Sequence, residues 1–231
     1  MNVAIIPARS GSTRIPQKNI RSFLGKPMIS YPIETIQKSK VIDKTIVSTD
    51  DEKIAKIAKD YGALVPFIRP RELSDDFTPT VPVIAHATKL LIESGYDIEN
   101  VCCVYPCTPL LEYDIIDDCY DNFIAGQHEF AYPVVVYPHP IQRAMRMLES
   151  RKMEFMFREY ELTRTQDLEK MYHDAAQFYW GTAEAWMAGK KMHSDGIGVP
   201  IESWKIVDID DEEDWRKAEL LKDIEDKQDL K

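Results

Sequence analysis

An excess of positive charge is what this chain most plainly lacks. Its 231 residues carry 29 Lys and Arg against 39 Asp and Glu, a formal net charge of −10. A protein that coats nucleic acid or an anionic membrane needs a cationic footprint, so neither partner is expected. Long uncharged runs are missing too. The longest covers about 13 residues, Phe130 to Gln142, and is interrupted by Pro133, Pro138 and Pro140. A membrane-spanning helix needs roughly 18 apolar residues in succession. The N-terminus does not follow the basic-then-apolar plan of a signal peptide, and the expected location is the cytoplasm. Four cysteines, Cys102, Cys103, Cys107 and Cys119, contain no CxxC, and no His pair stands at ligand spacing. Buried free thiols are expected rather than disulfides or a zinc site. Neither GxGxxG nor GxxxxGK[ST] occurs, which counts against a dinucleotide oxidoreductase or a Walker-type NTPase. The absence of GxSxG disfavours hydrolase chemistry.

What the chain does have is a usable core and an uneven distribution of charge. Apolar residues make up 44% of it, enough to bury a sizeable interior. The first 33 residues hold five bases (Arg9, Arg14, Lys18, Arg21, Lys26) and no acid. From Asp208 onward eleven acids face five bases. The pattern expects an anion near the N-terminus and a cation near the C-terminus.

Short apolar runs alternate with helical periodicity. Val3 to Ile6, Lys44 to Ser48, Leu64 to Phe67, Val101 to Tyr105, Phe130 to Val136, Gln177 to Trp180 and Lys205 to Ile209 read as strands. Helices are expected over Pro27 to Lys38, from Asp50 as N-cap to Tyr61, and over Val81 to Glu93, Asp114 to Ile124, Thr182 to Met187 and Glu212 to about Lys227. This rhythm implies βαβ units and a doubly wound, mostly parallel sheet. It lapses over residues 137–174, which are charged and Met-rich and read as an inserted subdomain or oligomerisation arm of one domain spanning 1–231.

The loop after the first strand, Ala8 to Asn19, is where ligands of open α/β sheets bind. Small residues Ser10, Gly11, Ser12 and Thr13 can turn backbone N–H groups toward an anion. Arg9 and Arg14 can grip phosphate oxygens bidentately, with Lys18 as a point charge. A merely solvated basic loop explains the composition equally well. At the other end, Asp208 and Asp210 flank Ile209, and on a strand both carboxylates share one face. Hard oxygens there suit Mg²⁺, although Asp210 or Asp211 could instead cap the following helix.

The string Ile6 to Asn19, IPARSGSTRIPQKN, resembles the nucleotide-binding loop of cytidylyltransferases that activate acidic sugars. These are the CMP-sialic acid synthetases and their relatives. The resemblance continues through Val47 to Asp50, Arg69 to Asp76 and Val207 to Asp210. Two segments, Phe77 to Ala87 and Tyr172 to Gly181, are most similar to the branch that acts on pseudaminic acid. The resemblance implies a three-layer α/β/α Rossmann-like nucleotidyltransferase fold and a homodimer joined through the inserted arm. It implies transfer of CMP from CTP to a nonulosonic acid, with Mg²⁺ on Asp208 and Asp210. Arg9, Arg14, Lys18 and Asp210 would be catalytic. Arg9, Ser10, Gly11, Ser12, Thr13, Asn19, Arg69, Thr78 and Thr80 would hold the nucleotide. Tyr105, Arg143, Arg164, Gln177 and Tyr179 are the candidates for the sugar. The chain departs from the sialic acid pattern at Tyr105 to Pro109, where those enzymes carry Gln-Pro-Thr-Ser-Pro. It departs again at His173 to Ala176, where they have Arg-Pro-Asn-Gly. Sialic or legionaminic acid as the sugar is the alternative within the class. A non-catalytic nucleotide-binding module is the alternative outside it.

Overall fold

A computed structural model describes residues 1–228, including the backbone of Gln228. Residues 229–231, which complete the acidic tail and the expected 1–231 span, lie outside the described residues. In chain order the strands are β1 (Asn2–Pro7), β2 (Ser22–Phe23), β3 (Lys26–Pro27), β4 (Lys44–Ser48), β5 (Asn100–Val104), β6 (Phe130–Val136), β7 (Met145–Met147), β8 (Met153–Phe155), β9 (Tyr172–Asp174), β10 (Phe178–Thr182) and β11 (Gly196–Pro200). The helices are α1 (Ser30–Ile36), α2 (Glu52–Asp60), α3 (Thr80–Glu93), α4 (Tyr113–Ala125), α5 (Ala183–Met187) and α6 (Glu212–Gln228).

The main sheet runs β11-β6-β10-β5-β1-β4, with β9 also paired to β6. β1 lies parallel to both β4 and β5, and β11 is parallel to β6. β10 runs against β5 and β6, and β9 against β6. Alternation along the central strands sorts their side chains into two apolar layers. Ala4, Ile6, Val47, Cys102, Val104 and Trp180 pack against α1, α2 and α4 through Ile33, Ile54, Ile116 and Phe123. Val3, Ile5, Ile46, Val101, Cys103 and Tyr179 pack against α3 and α5 through Ile84, Leu91 and Trp186. The result is the three-layer α/β/α architecture with a mostly parallel sheet.

A third, smaller apolar cluster joins Ile15, Phe23, Met28, Ile209, Trp215 and Ala218. It pins the loop after β1 and the hairpin β2–β3 against the start of α6. Phe23 meets Tyr31 and Trp215 edge to face, at 5.2 Å and 5.4 Å. The cluster therefore ties together the two ends of the chain that carry opposite charge.

Several elements differ from the sequence expectation. The last strand is β11 rather than Lys205 to Ile209, which forms a short 3₁₀ turn at Ser203–Lys205 followed by extended coil. Gly196 and Gly198 of β11 allow a close approach to β6. A Cβ on Gly198 would lie 2.8 Å from Val134 of β6. Leu64 makes a single bridge to Ile46 in place of a strand. The N-cap of α2 is Asp51, which accepts from the amides of Lys53 and Ile54. Asp50 turns instead to the amide and hydroxyl of Ser10. Within residues 137–174, β7 and β8 form a small hairpin, and β9 returns to the main sheet. All four cysteines are free thiols, with Cys102, Cys103 and Cys119 buried.

Candidate active site

The chain leaves β1 for β4 on one side and later for β5 on the other, so the sheet's topological switch lies between β1 and β5. A cavity of about 490 Å³ opens there, beyond the carboxyl ends of the strands. Its walls are Pro7 to Asn19 after β1, the loop Arg69 to Thr80 before α3, Tyr105 to Cys107 after β5, Ala176, and Val207 to Asp210 before α6.

Asn19 organises the first wall. It is 4% exposed, and its Nδ2 donates to the Arg9 carbonyl at 2.8 Å while its Oδ1 accepts from Cys107 Sγ at 3.2 Å. Both ends of the amide are thereby held, and the loop is closed across ten residues. Ile15, 1% exposed, anchors the tip of the same loop in the third cluster. That leaves Arg14 and Lys18 on the cavity side. Lys18 Nζ donates to the Ile209 carbonyl at 2.6 Å, and Arg14 Nη2 lies 2.7 Å from Asp210 Oδ1. Arg9 pairs with Asp76 across the mouth.

The acidic wall is built on the same plan. Ile209 is buried, so the carboxylates on either side of it, Asp208 and Asp210, face the cavity without a strand to hold them. Asp211 serves as the helix-start residue, accepting from the amides of Glu213 and Asp214. Asp214 accepts in return from Asp210 and Asp211. Capping is thus done by Asp211, and Asp210 keeps its carboxylate for the cavity. Burial, with Asp210 next, raises the Asp208 pKa against the opposing effect of Lys18. Two close carboxylates that repel each other fit a hard divalent cation, which takes one or two protein carboxylates and completes its shell with phosphate and water oxygens. Among the described residues no group of three or more His, Cys, Asp or Glu is assembled for a metal, so any cation here would draw on those external oxygens.

Arg69 is 3% exposed, with Nε donating to Ser74 Oγ at 3.0 Å and Nη2 3.9 Å from Asp50. Burial lowers its pKa, and the proximity of Asp50 opposes this. Asp75 accepts from the amides of Phe77 and Thr78 and from the Thr78 hydroxyl, which hold its carboxyl below the usual range. Thr80 Oγ1 and the Tyr105 hydroxyl are 3.0 Å apart. Burial pushes Tyr105 and Cys107 up to about 12, so both are neutral near pH 7.

The cavity therefore gathers Arg9, Ser12, Thr13, Arg14, Lys18, Asn19, Arg69, Thr78, Thr80, Tyr105, Asp208 and Asp210. Ser10 lines a smaller adjoining cleft with Asp51 and Lys53, and Gly11 lines neither. Four candidates for the sugar stand outside the cavity wall. Arg143 donates to the Thr163 carbonyl, and Arg164 pairs with Asp167 on the arm. Gln177 is 4% exposed and donates to the Lys205 carbonyl, and Tyr179 is buried behind Tyr105. Asp75, Asp76, Cys107 and Ala176 line the cavity without having been singled out as site residues. The run of acids in the Arg69 to Asp76 loop was the available signal for the first two; Ala176, at φ +51°, left none.

A family model described as Cytidylyltransferase matches residues 3–187. The chain is 40% identical to a pseudaminic acid cytidylyltransferase of Campylobacter jejuni subsp. jejuni serotype O:2 over 223 residues, 95% of each chain. It is 28% identical to a CMP-N,N'-diacetyllegionaminic acid synthase of Legionella pneumophila subsp. pneumophila, covering 96% of each. Among solved structures, a CMP:2-keto-3-deoxy-manno-octonic acid synthetase complexed with CTP superimposes with a TM-score of 0.70 at 14% identity, covering 97% of this chain and 99% of that one.

Proposed function

The chain belongs to the cytidylyltransferase family, and from that premise we propose that it activates pseudaminic acid as its CMP derivative. It is an enzyme that transfers CMP from CTP. The anomeric oxygen of the sugar forms a bond to the α-phosphorus of CTP, and the bond from that phosphorus to the bridging oxygen breaks. Pyrophosphate leaves with the electron pair, and the hydroxyl proton is released. The observation that carries the chemistry is the convergence of loop cations and tail carboxylates on one cavity. The similarity to the Campylobacter enzyme over nearly the whole of both chains supports the choice of sugar.

Arg9, Arg14 and Lys18 neutralise charge that gathers on the β- and γ-phosphates as they depart. Ser10 to Thr13 supply backbone donors around them. Asn19, Arg69, Thr78 and Thr80 contact the base and ribose. Mg²⁺ held by Asp208 and Asp210 would supply charge neutralisation for phosphate oxygens and acidify the attacking hydroxyl. Tyr105, Gln177 and Tyr179 shape the sugar end. Arg143 and Arg164 belong to the arm, so they would meet a sugar carboxylate only where a second chain brings the arm to a cavity.

We treat the protein as one domain with its arm at 137–174, assembled as a homodimer through that arm and working in the cytoplasm, where CTP is made. Met147 at 66% exposure and Leu162 at 95% are the apolar side chains such an interface would cover.

Pyrophosphate release followed in parallel with pseudaminic, legionaminic and sialic acids tests the reading. Turnover should be fastest with pseudaminic acid and should vanish in excess chelator. Faster turnover of either other sugar overturns the substrate assignment. CTP binding with no pyrophosphate from any of the three would indicate a regulatory module instead.

A further inference from the structure

Asp174 and His193 stand behind the cavity wall without a part in the chemistry above. Asp174 ends β9. Its Oδ2 accepts from the Tyr179 hydroxyl of β10 at 2.5 Å and from His193 Nε2 at 3.2 Å. Tyr179 is 2% exposed, and its ring centroid lies 5.5 Å from that of Tyr105, which does line the cavity and shares a hydrogen bond with Thr80. The His193 ring stands edge to face with both Tyr132 and Tyr179, at 5.2 Å and 5.7 Å. A continuous line therefore runs from a half-exposed imidazole to a cavity wall.

The backbone explains why these groups meet. β9 and β10 both pair with β6 but at opposite ends of it, and the chain steps between them through Ala175 to Gln177. Ala176 makes that step at φ +51°, in the left-handed region a residue with a Cβ adopts at a cost of about 1–2 kcal/mol. The step puts Ala176 into the cavity and turns Asp174 back toward Tyr179. The Asp174 carboxylate gives the buried Tyr179 hydroxyl its acceptor.

We propose that Asp174 and His193 are positioning residues for the acceptor sugar, acting through Tyr179 on the Tyr105 wall of the cavity. Asp174 fixes the Tyr179 hydroxyl. The Tyr179 ring fixes the face on which Tyr105 rests. His193 holds the second lone pair of the same oxygen and keeps Asp174 from rotating into solvent. Of the cavity residues the line packs against Tyr105, a candidate for the sugar, whereas Arg14 and Lys18 pair with Asp210 and the Ile209 carbonyl, so it governs the sugar and not the triphosphate. The inference rests on the acidic-sugar reading above.

Steady-state kinetics on the whole enzyme tests it, using whichever of the three acidic sugars the unmodified protein turns over fastest. Asp174→Ala should raise the KM for the sugar about tenfold, the order of one hydrogen bond to a charged group, with the KM for CTP unchanged. Tyr179→Phe should do the same, and the double variant should be little worse than either single, because the two residues act as one unit. His193→Ala should raise the sugar KM by a smaller factor, and His193→Gln, which keeps a donor, should restore most of it. Equal changes in both KM values, no change in either, or full additivity of the two single variants would overturn the proposal. If Asp174→Ala does not fold, the His193 pair decides, since that side chain is 52% exposed. A preferred sugar other than pseudaminic acid removes the substrate assignment and leaves these variants decisive. An enzyme that consumes no acidic sugar removes both.

Discussion

The loop after β1 and the arm at 137–174 are both irregular, and both are rich in arginine or lysine, yet their cations end in different situations. Arg9, Arg14 and Lys18 converge on a cavity and find partners drawn from distant segments, Asp76, Asp210 and the Ile209 carbonyl. On the arm, Arg146 and Arg158 share Glu154, and Arg164 takes Asp167, all within eight residues. The loop is held by buried anchors, Ile15 and Asn19. The arm leaves Met145, Met147, Met153, Met156 and Leu162 on its surface. A basic loop becomes a binding site when a small core beneath it fixes where each charge points. The two regions share cations; anchorage is not shared.

The comparison can be broken most severely at the carboxylates. Asp210→Ala should lower turnover by about a hundredfold or more at saturating divalent cation, a loss typical of a transition-state charge partner. Near-normal turnover would detach the tail from the chemistry. Lys18→Met comes next. It should lower kcat/KM for CTP by tens of fold, roughly 2 kcal/mol of lost charge-assisted contact, in an assay with the sugar held saturating.

The anchors themselves can be tested by melting. Trp215 is 2% exposed, lies under the Arg21 guanidinium at 4.4 Å and meets Phe23 edge to face. Trp215→Ala should cost about 3–5 kcal/mol in denaturant unfolding, whereas Phe157→Ala on the arm should cost about 1 kcal/mol or less. Paired substitutions Met147→Asp and Leu162→Asp should convert the proposed dimer to a monomer in light scattering while the melting temperature moves by only a few degrees. The smallest effect concerns Cys107. Burial raises its pKa to about 12, which keeps it in the thiol form near pH 8 and removes the reactive thiolate. Iodoacetamide at that pH should leave it unlabelled in the folded enzyme and label all four cysteines after denaturation.

Much of the frame was legible in the sequence because burial on both faces leaves a simple trace. Val3 to Ile6 and Val101 to Val104 are continuous apolar runs, and they are the centre of the sheet. β11 was not legible, because Gly196 and Gly198 serve there as space for Val134 and Phe130 rather than as turns. The cations of the first loop could be singled out by position after a first strand. Their closeness to Asp208 and Asp210 could not, since no local spacing connects residues nearly 200 positions apart. The family resemblance supplied that link, and the cluster of Ile15, Ile209 and Trp215 explains it. Asp51 takes the cap expected of Asp50 for a similar reason. Either could cap α2 by spacing, and the choice was made by Ser10, which lies across the sheet edge and claims Asp50.

The bond from Lys18 to the Ile209 carbonyl joins residues 191 apart in the chain. A ribosome adding about 5–20 residues per second separates their emergence by roughly 10–40 s. Every strand of the main sheet precedes residue 201, so the nascent chain can complete its sheet while the basic loop after β1 still lacks its carboxylate wall. A nascent chain stopped before Asp208 would therefore have the sheet without the carboxylates of the candidate site.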